Sequence, residues 1–180
     1  LLIHMDGARF ANALASLSVS PAEATWKSGV DLMSFGATKN GAMAAEAVIV
    51  FNPDVARDLA FRRKRAGHLL SKMRFVSAQL EAYLEDGLWL RLAAHANSMA
   101  SRVADGLRSY QAASLHLDPQ ANEIFVRLPS ADVRRLKDAG ARVHKWPMPG
   151  DSEAGHTIRL VTSFSTTPEE TDRFISVLRG

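Results

Sequence analysis

The chain has 180 residues, enough for one domain, or one and a fraction, with a sizeable buried core. Hydrophobic residues make up 47% and charged residues 23%, and the net charge of +3 is too small to indicate nucleic-acid binding by itself. The absence of cysteine excludes disulfides and thiolate metal sites and fits a reducing compartment, so we expect a cytoplasmic protein. No apolar run approaches the roughly 18 residues of a membrane span.

The first stretch of the chain predicts a strand followed by two short helices. Residues 1–5 are an apolar run that predicts a buried strand ending in an Asp6-Gly7 turn. A short helix is predicted over residues 9–16. The segment Ser20-Pro21-Ala22-Glu23 combines a capping box with a proline at the first helical position, so another helical turn begins there and is expected to end near Gly29.

Lys39 follows the next predicted strand, residues 30–35, in which we expect Ser34 to face the core. Lys39 lies between Gly36 and Gly41, with no acidic residue within six positions. A lysine in a tight, partly dry turn loses its proton more easily and becomes a nucleophilic amine, as Schiff-base chemistry requires. The alternative is an ordinary solvated loop lysine.

A third predicted strand, residues 47–51, is apolar throughout, as in a sheet covered on both faces. If the strands that precede Asp6 and Lys39 are parallel, both residues emerge at the carboxyl edge of the sheet. Ligands bind at that edge in open α/β sheets.

The middle of the chain predicts three helices. Asn52-Pro53 caps the first, which carries basic residues from Arg57 to Arg65 and ends before Gly67. The second covers residues 69–85, and the third runs from residue 88 to about residue 112 with apolar residues on one side.

The basic run Arg62-Arg63-Lys64-Arg65, with Lys72 and Arg74, allows three interpretations. It is a solvated or interface-facing run of charges, a nucleic-acid patch, or a contact to a phosphate across a subunit interface. Nucleic acid is disfavoured because we expect no stacking aromatic residues to cluster with the charges.

The C-terminal part predicts a compact α/β unit. Strands are expected over residues 123–128, 141–146 and 157–163. Ser130 is predicted to cap a helix that ends at Gly140, and Thr167-Pro168-Glu169-Glu170 forms a capping box for the last helix. We place the domain boundary near residues 111–118, which gives domains 1–112 and 113–180.

Three segments together resemble the threonine aldolase branch of the β-eliminating lyase family. They are His4-Met5-Asp6-Gly7-Ala8-Arg9, the stretch from Leu32 to Ala42 around Lys39, and Thr157-Ile158-Arg159-Leu160-Val161-Thr162-Ser163. The resemblance implies a pyridoxal-phosphate (PLP) enzyme with the α/β fold of the aspartate-aminotransferase type, fold type I. It covers about the second half of such an enzyme. Residues 1–112 would be the second half of the large PLP-binding domain, and residues 113–180 the small C-terminal domain.

The resemblance also implies roles for five residues. Lys39 would carry PLP covalently, Asp6 would hold the pyridine nitrogen, and Thr38 would contact the phosphate. Arg9 and Arg159 would bind the substrate carboxylate. The alternatives are that Asp6 and Thr38 are turn residues, that Arg9 is a solvated arginine at a helix start, and that Arg159 faces water from an edge strand.

The activity that the resemblance implies is cleavage of L-threonine, or a related β-hydroxy-α-amino acid, to glycine and an aldehyde. Alternatives are a related PLP β-eliminating lyase, an aminotransferase-like protein, or a catalytically silent domain of the same fold. We expect a homo-oligomer, dimer or tetramer, with active sites at the subunit interface, and no nucleic acid, membrane or metal partner. In the family the phosphate-binding loop and the ring-stacking residue precede the part matched here, so we expect the 180 residues alone to be inactive.

Overall fold

The structure is a computed structural model that describes residues 1–180. It divides the chain into two compact units, Leu1–Ala93 and Ala94–Gly180. This division precedes the predicted boundary, because the C-terminal half of the helix Leu88–Arg108 belongs to the core of the second unit through residues such as Val103 and Leu107. The domain limits 1–112 and 113–180 stay a prediction. No helix combines the length and the apolar character needed to cross a membrane.

The first unit contains a three-stranded sheet of order β1-β2-β3. Its elements are β1 (His4–Gly7), α1 (Phe10–Leu17), α2 (Pro21–Ala24), β2 (Leu32–Gly36), β3 (Glu46–Val50), α3 (Leu59–Arg65), α4 (Met73–Leu84) and the start of α5 (Leu88–Arg108). Strands β1 and β2 are parallel, with Asp6 opposite Ser34, whereas β3 is antiparallel to β2. The carboxyl ends of β1 and β2 therefore lie at the same edge of the sheet. The predicted site depends on this arrangement.

One face of this sheet carries the aromatic core of the first unit. Phe10 stacks on Trp89 with ring centroids 6.3 Å apart, and Phe35 meets Trp89 edge-on at 5.9 Å. Successive strand residues point to opposite faces. Ser34 therefore lies on the face away from the buried Phe35, and the prediction that Ser34 faces the core is wrong. Val48 lies on the same face as Ser34 and is 55% exposed. The apolar composition of β3 therefore does not mean that both faces of the sheet are covered.

The helices of the first unit differ from the prediction mainly at their starts. The capping box of Ser20 and Glu23 is confirmed, and Gly29 ends the following 3₁₀ turn in the left-handed conformation. Asn52 caps only the short 3₁₀ turn Pro53–Val55, because α3 begins separately at Leu59.

The second unit contains a four-stranded antiparallel sheet of order β4-β5-β7-β6. Its elements are β4 (Ser114–Leu115), β5 (Glu123–Pro129), α6 (Ser130–Asp138), β6 (His144–Lys145), β7 (Gly155–Val161) and α7 (Pro168–Arg179). The capping box of Thr167 and Glu170 at the start of α7 is confirmed. Ser130 is not the predicted cap, because its hydroxyl donates instead to the Glu153 carbonyl at 2.6 Å.

Candidate active site

Asp6 is the penultimate residue of β1 (His4–Gly7), at the carboxyl end of that strand. Its Oδ1 accepts a hydrogen bond from the Ala8 N–H at 3.0 Å. Asp6 and Gly7 are part of the strand, so the predicted turn begins one step later, at Ala8 and Arg9. The Asp6 side chain is exposed, and only one of its two carboxylate oxygens has a partner.

Two glycines allow the strands to approach closely around Asp6. A Cβ on Gly7 would lie 2.6 Å from the Ser34 carbonyl oxygen, and a Cβ on Gly36 would lie 3.0 Å from the Ala8 Cα. Both positions therefore require the absence of a side chain. Gly36 serves this packing at the end of β2 rather than the turn that the sequence predicts for it.

Lys39 lies in the 3₁₀ turn Thr38–Asn40, directly after β2. Gly41 follows with a φ of +122°, which confirms that a sharp turn needs glycine there. The Lys39 side chain is exposed. The sequence predicts a turn that is partly shielded from water, and for this chain on its own that prediction is wrong. Lys39 follows the carboxyl end of β2, and Asp6 lies at the carboxyl end of the parallel strand β1.

Asn40 fixes this turn through hydrogen bonds in the core of the first unit. It is not among the residues predicted from the sequence. Its side chain is 3% exposed and donates to the Tyr83 hydroxyl at 2.6 Å and to the Trp89 carbonyl at 2.8 Å. Burial raises the pKa of Tyr83, although the Asn40 hydrogen bond opposes the shift. The residue next to Lys39 is thus anchored to α4 and α5, and only the side chain of Lys39 is left to move.

Thr38 and Gln79 hold the loop that follows the turn. The Thr38 hydroxyl accepts from the Ala45 N–H at 3.0 Å and donates to the Ala45 carbonyl at 3.4 Å. Gln79 Oε1 accepts from the Met43 and Ala44 N–H groups at 3.0 and 3.1 Å. Thr38 therefore holds the turn, and its predicted contact to a phosphate stays a prediction.

Arg9 is the residue immediately before α1, and its carbonyl accepts the first helical hydrogen bond, from Ala13, at 3.1 Å. Its side chain is half-buried, unlike that of a freely solvated arginine at a helix start. Asp6 lies at the carboxyl end of β1 and Arg9 two residues beyond that end, and Thr38 and Lys39 follow the carboxyl end of β2. The first unit therefore brings together four of the five predicted site residues.

Arg159 belongs to the second unit and lies on β7, an interior strand between β5 and β6. The alternative of an edge strand is therefore wrong. Its guanidinium lies over the Trp146 ring, 4.9 Å from the centroid, and its Nη1 is 3.6 Å from Glu123 Oε1. Ile158 and Leu160 on either side point into the core, so Arg159 stands on the opposite, solvent-facing side of the sheet.

The basic segment around α3 is exposed throughout residues 60–72. Phe61 and Phe75 are 77% and 61% exposed, and the Arg74 guanidinium lies 4.9 Å from the Phe75 ring centroid. The argument that no aromatic side chain accompanies these charges is therefore wrong. No group of three or more histidine, aspartate or glutamate side chains is arranged to hold a metal ion.

Comparison with known proteins gives consistent results. The family profile described as Beta-eliminating lyase matches residues 1–130. Low specificity L-threonine aldolases from Pseudomonas sp. (strain NCIMB 10558) and Pseudomonas aeruginosa are 44% and 45% identical over 144 residues, which is 80% of this chain and 42% of each relative. The chain thus spans less than half the length of these relatives.

Solved structures agree with this likeness. A structure of Leishmania major threonine aldolase matches with a TM-score of 0.89 at 29% identity, over 99% of this chain and 51% of that chain. Serine palmitoyltransferase of Sphingomonas wittichii matches with a TM-score of 0.60 at 15% identity, over 84% of this chain and 39% of that chain, and shows the fold alone. The predicted α/β fold class, part of fold type I, is confirmed.

Proposed function

Because this chain belongs to the β-eliminating lyase family, we propose that the protein is a PLP-dependent aldehyde-lyase of the threonine aldolase type. Its substrate is L-threonine or a related β-hydroxy-α-amino acid, and its products are glycine and an aldehyde. One observation carries the proposal: Asp6 and Lys39 lie at the carboxyl ends of two adjacent parallel strands. The identity of 44–45% to two L-threonine aldolases supports it.

The residues at this sheet edge fit PLP. Lys39 offers an exposed primary amine for the aldehyde of the cofactor, and Asp6 has one carboxylate oxygen available for the pyridine nitrogen. When bound, PLP supplies an electron sink for the electron pair left at Cα when the Cα–Cβ bond breaks. Asp6 maintains that sink, because a carboxylate beside the ring nitrogen keeps the nitrogen protonated.

Thr38 and Asn40 support Lys39 from both sides along the chain. Asn40 is fixed by its two buried hydrogen bonds, so the backbone of the turn stays in place while the Lys39 side chain moves between cofactor and solvent. Thr38 adds a cofactor contact through its hydroxyl proton. That proton is held only by the 3.4 Å hydrogen bond to the Ala45 carbonyl and can turn toward a phosphate oxygen.

Arg9 and Arg159 bind the α-carboxylate of the substrate. An arginine fork holds a carboxylate through two parallel hydrogen bonds and so fixes its orientation as well as its position. Orientation matters here because the bond that breaks at Cα is the one held perpendicular to the cofactor ring. The carboxylate contact therefore selects the Cα–Cβ bond over the other bonds of Cα.

The protein is a cytoplasmic homo-oligomer, a dimer or a tetramer, with its active sites at the subunit interface. Exposed apolar side chains among the basic residues around α3 support this arrangement, since a solvated charge run does not need them. They are Phe61, Leu69, Leu70 and Phe75, each more than half exposed.

The test is incubation of the full-length protein with PLP and L-threonine. The proposal expects a visible absorbance band from bound cofactor, and acetaldehyde and glycine in equal amounts. Release of ammonia and 2-oxobutanoate would identify a β-eliminating lyase instead, and the absence of both the band and turnover would identify a silent domain. The 180-residue chain, assayed beside it, is expected to be inactive.

A further inference from the structure

The guanidinium of Arg159 is held against the indole of Trp146. Its Cζ lies 4.9 Å from the ring centroid, within the range of a cation–π interaction. Trp146 follows β6, and its backbone N–H donates to the Thr157 carbonyl at 2.9 Å. Pro147 comes next and has no N–H, so strand pairing ends there and the indole is left at the last paired position.

Phe125 keeps the indole in place from the other side of Arg159. It is directly opposite Arg159 in the register of β5 and β7. Its ring meets the Trp146 ring edge-on, with centroids 5.6 Å apart and planes at 66°. Side chains from three neighbouring strands thus form one assembly in which the aromatic residues determine where the guanidinium can lie.

This assembly restricts an otherwise flexible side chain. The Arg159 side chain is 31% exposed, its Nε is buried without a hydrogen-bond partner, and its Nη1 is 3.6 Å from Glu123 Oε1. At this distance the ion pair is too long to be a hydrogen bond, so it does not set the orientation of the guanidinium plane. The indole, with its ring centroid 4.9 Å from the Arg159 Cζ, restricts where the guanidinium can lie, and a planar fork recognises a carboxylate only in the correct orientation.

We propose that Trp146 is a positioning residue for Arg159, and that through Arg159 it sets how strongly the site prefers amino acids with a free α-carboxylate. The proposal rests on the proposed role of Arg159 as the carboxylate-binding group. Trp146 itself need not touch the substrate. Its removal is therefore expected to weaken recognition of the carboxylate and to leave binding of the amino group and cofactor unchanged.

The test compares glycine with glycinamide, which has a neutral amide in place of the carboxylate. Dissociation constants are measured on the full-length holoenzyme from the change in visible cofactor absorbance. Trp146→Leu is expected to reduce the preference for glycine about 5-fold, the size of an exposed cation–π contact, and Trp146→Phe to retain most of the preference. With substrate, KM rises while kcat stays within about 2-fold. The matched control is Trp26→Leu, since Trp26 is another exposed tryptophan, with Lys27 Nζ 5.7 Å from its ring centroid.

Arg159→Lys separates the two ways in which the proposal can fail. If Arg159→Lys lowers the preference for glycine but neither Trp146 variant does, Arg159 binds the carboxylate and the role of Trp146 is refuted. If Arg159→Lys leaves the preference unchanged, the proposed role of Arg159 is refuted, and the inference with it. Equal weakening of glycine and glycinamide in Trp146→Leu, without recovery in Trp146→Phe, would show a structural role and would also refute the inference.

Discussion

The side-chain amide of Asn40 donates one hydrogen bond to the Tyr83 hydroxyl at 2.6 Å and another to the Trp89 carbonyl at 2.8 Å. Both bonds are buried, and they fix the residue that follows Lys39 to elements more than forty positions further along the chain. The turn that presents the lysine is therefore held by a polar contact inside an aromatic core. Removing one partner of such a contact is costly, because the other partner then stays buried without that hydrogen bond.

Asn40→Ala is expected to destabilise the protein by about 1–3 kcal/mol, because it removes two buried hydrogen bonds. PLP affinity is expected to fall as well, since the Lys39 turn loses its anchor. Urea unfolding and a PLP titration measure the two effects. The control is Asn52→Ala, which removes a half-buried amide bonded to Asp31. It is expected to lower stability but to leave PLP affinity unchanged. An Asn40→Ala variant that binds PLP normally would contradict the anchoring role.

Gly7→Ala is expected to destabilise the first unit by roughly 1–3 kcal/mol, the usual cost of overpacking. The new Cβ would lie 2.6 Å from the Ser34 carbonyl oxygen, which is backbone of the neighbouring strand and cannot move aside. Gly106→Ala is the comparison, because its nearest obstacle is a side chain, that of Ile175, and not the backbone of a neighbouring strand. Unfolding free energies of the two variants measure the difference, and an equal or smaller loss for Gly7→Ala would refute the close-approach argument.

Asp6→Asn is expected to weaken PLP binding and to reduce turnover by orders of magnitude. The variant keeps an oxygen for the Ala8 N–H but loses the negative charge that keeps the ring nitrogen protonated. Stability is therefore expected to change little, and a thermal melt without PLP checks this. Asp54→Asn, at another exposed aspartate, is the control. Near-normal turnover in Asp6→Asn would show that Asp6 serves only the turn.

Asp151 gives the second unit a dependence on pH. Burial disfavours its charged form, but hydrogen bonds from Thr157 and from the Met148 N–H outweigh burial and lower its pKa from the usual 3.8. Because its pKa is lower in the folded than in the unfolded state, the charged Asp151 stabilises the protein at pH values above the unfolded-state pKa. This contribution is lost as the pH falls below 3.8 toward the folded-state pKa.

The destabilisation caused by Asp151→Asn is accordingly expected to be largest near neutral pH and to shrink as the pH falls below 3.8. Urea unfolding at a series of pH values measures it. Asp138→Asn, at an exposed aspartate, is the control and is expected to show no such trend. A difference that grows on acidification would contradict the assigned hydrogen bonds.

Local patterns were sufficient to predict much of the fold. The capping boxes at Ser20 and Thr167 depend on residues three positions apart, and both form as predicted. The parallel pairing of the strands before Asp6 and Lys39 is also confirmed, and it places both residues at one sheet edge. The roles of these two residues remain predictions.

Contacts between distant residues could not be predicted. Asn40 reaches Tyr83 across 43 positions, and nothing near Asn40 in the sequence indicates a buried amide. The interior position of Arg159 depends on the strand order, in which β6 pairs outside β7. Ser34 was assigned to the wrong face for a similar reason, because a shift of one residue in a strand exchanges its two faces.

The central claim is that Lys39 carries the cofactor, and borohydride reduction of the full-length holoenzyme followed by peptide mapping tests it most directly. The account predicts a stable PLP label on the peptide that contains Lys39, and no label in Lys39→Arg treated in the same way. The chain offers other exposed lysines, such as Lys64 and Lys72. A label on either of these, or a label that persists in Lys39→Arg, would contradict the account.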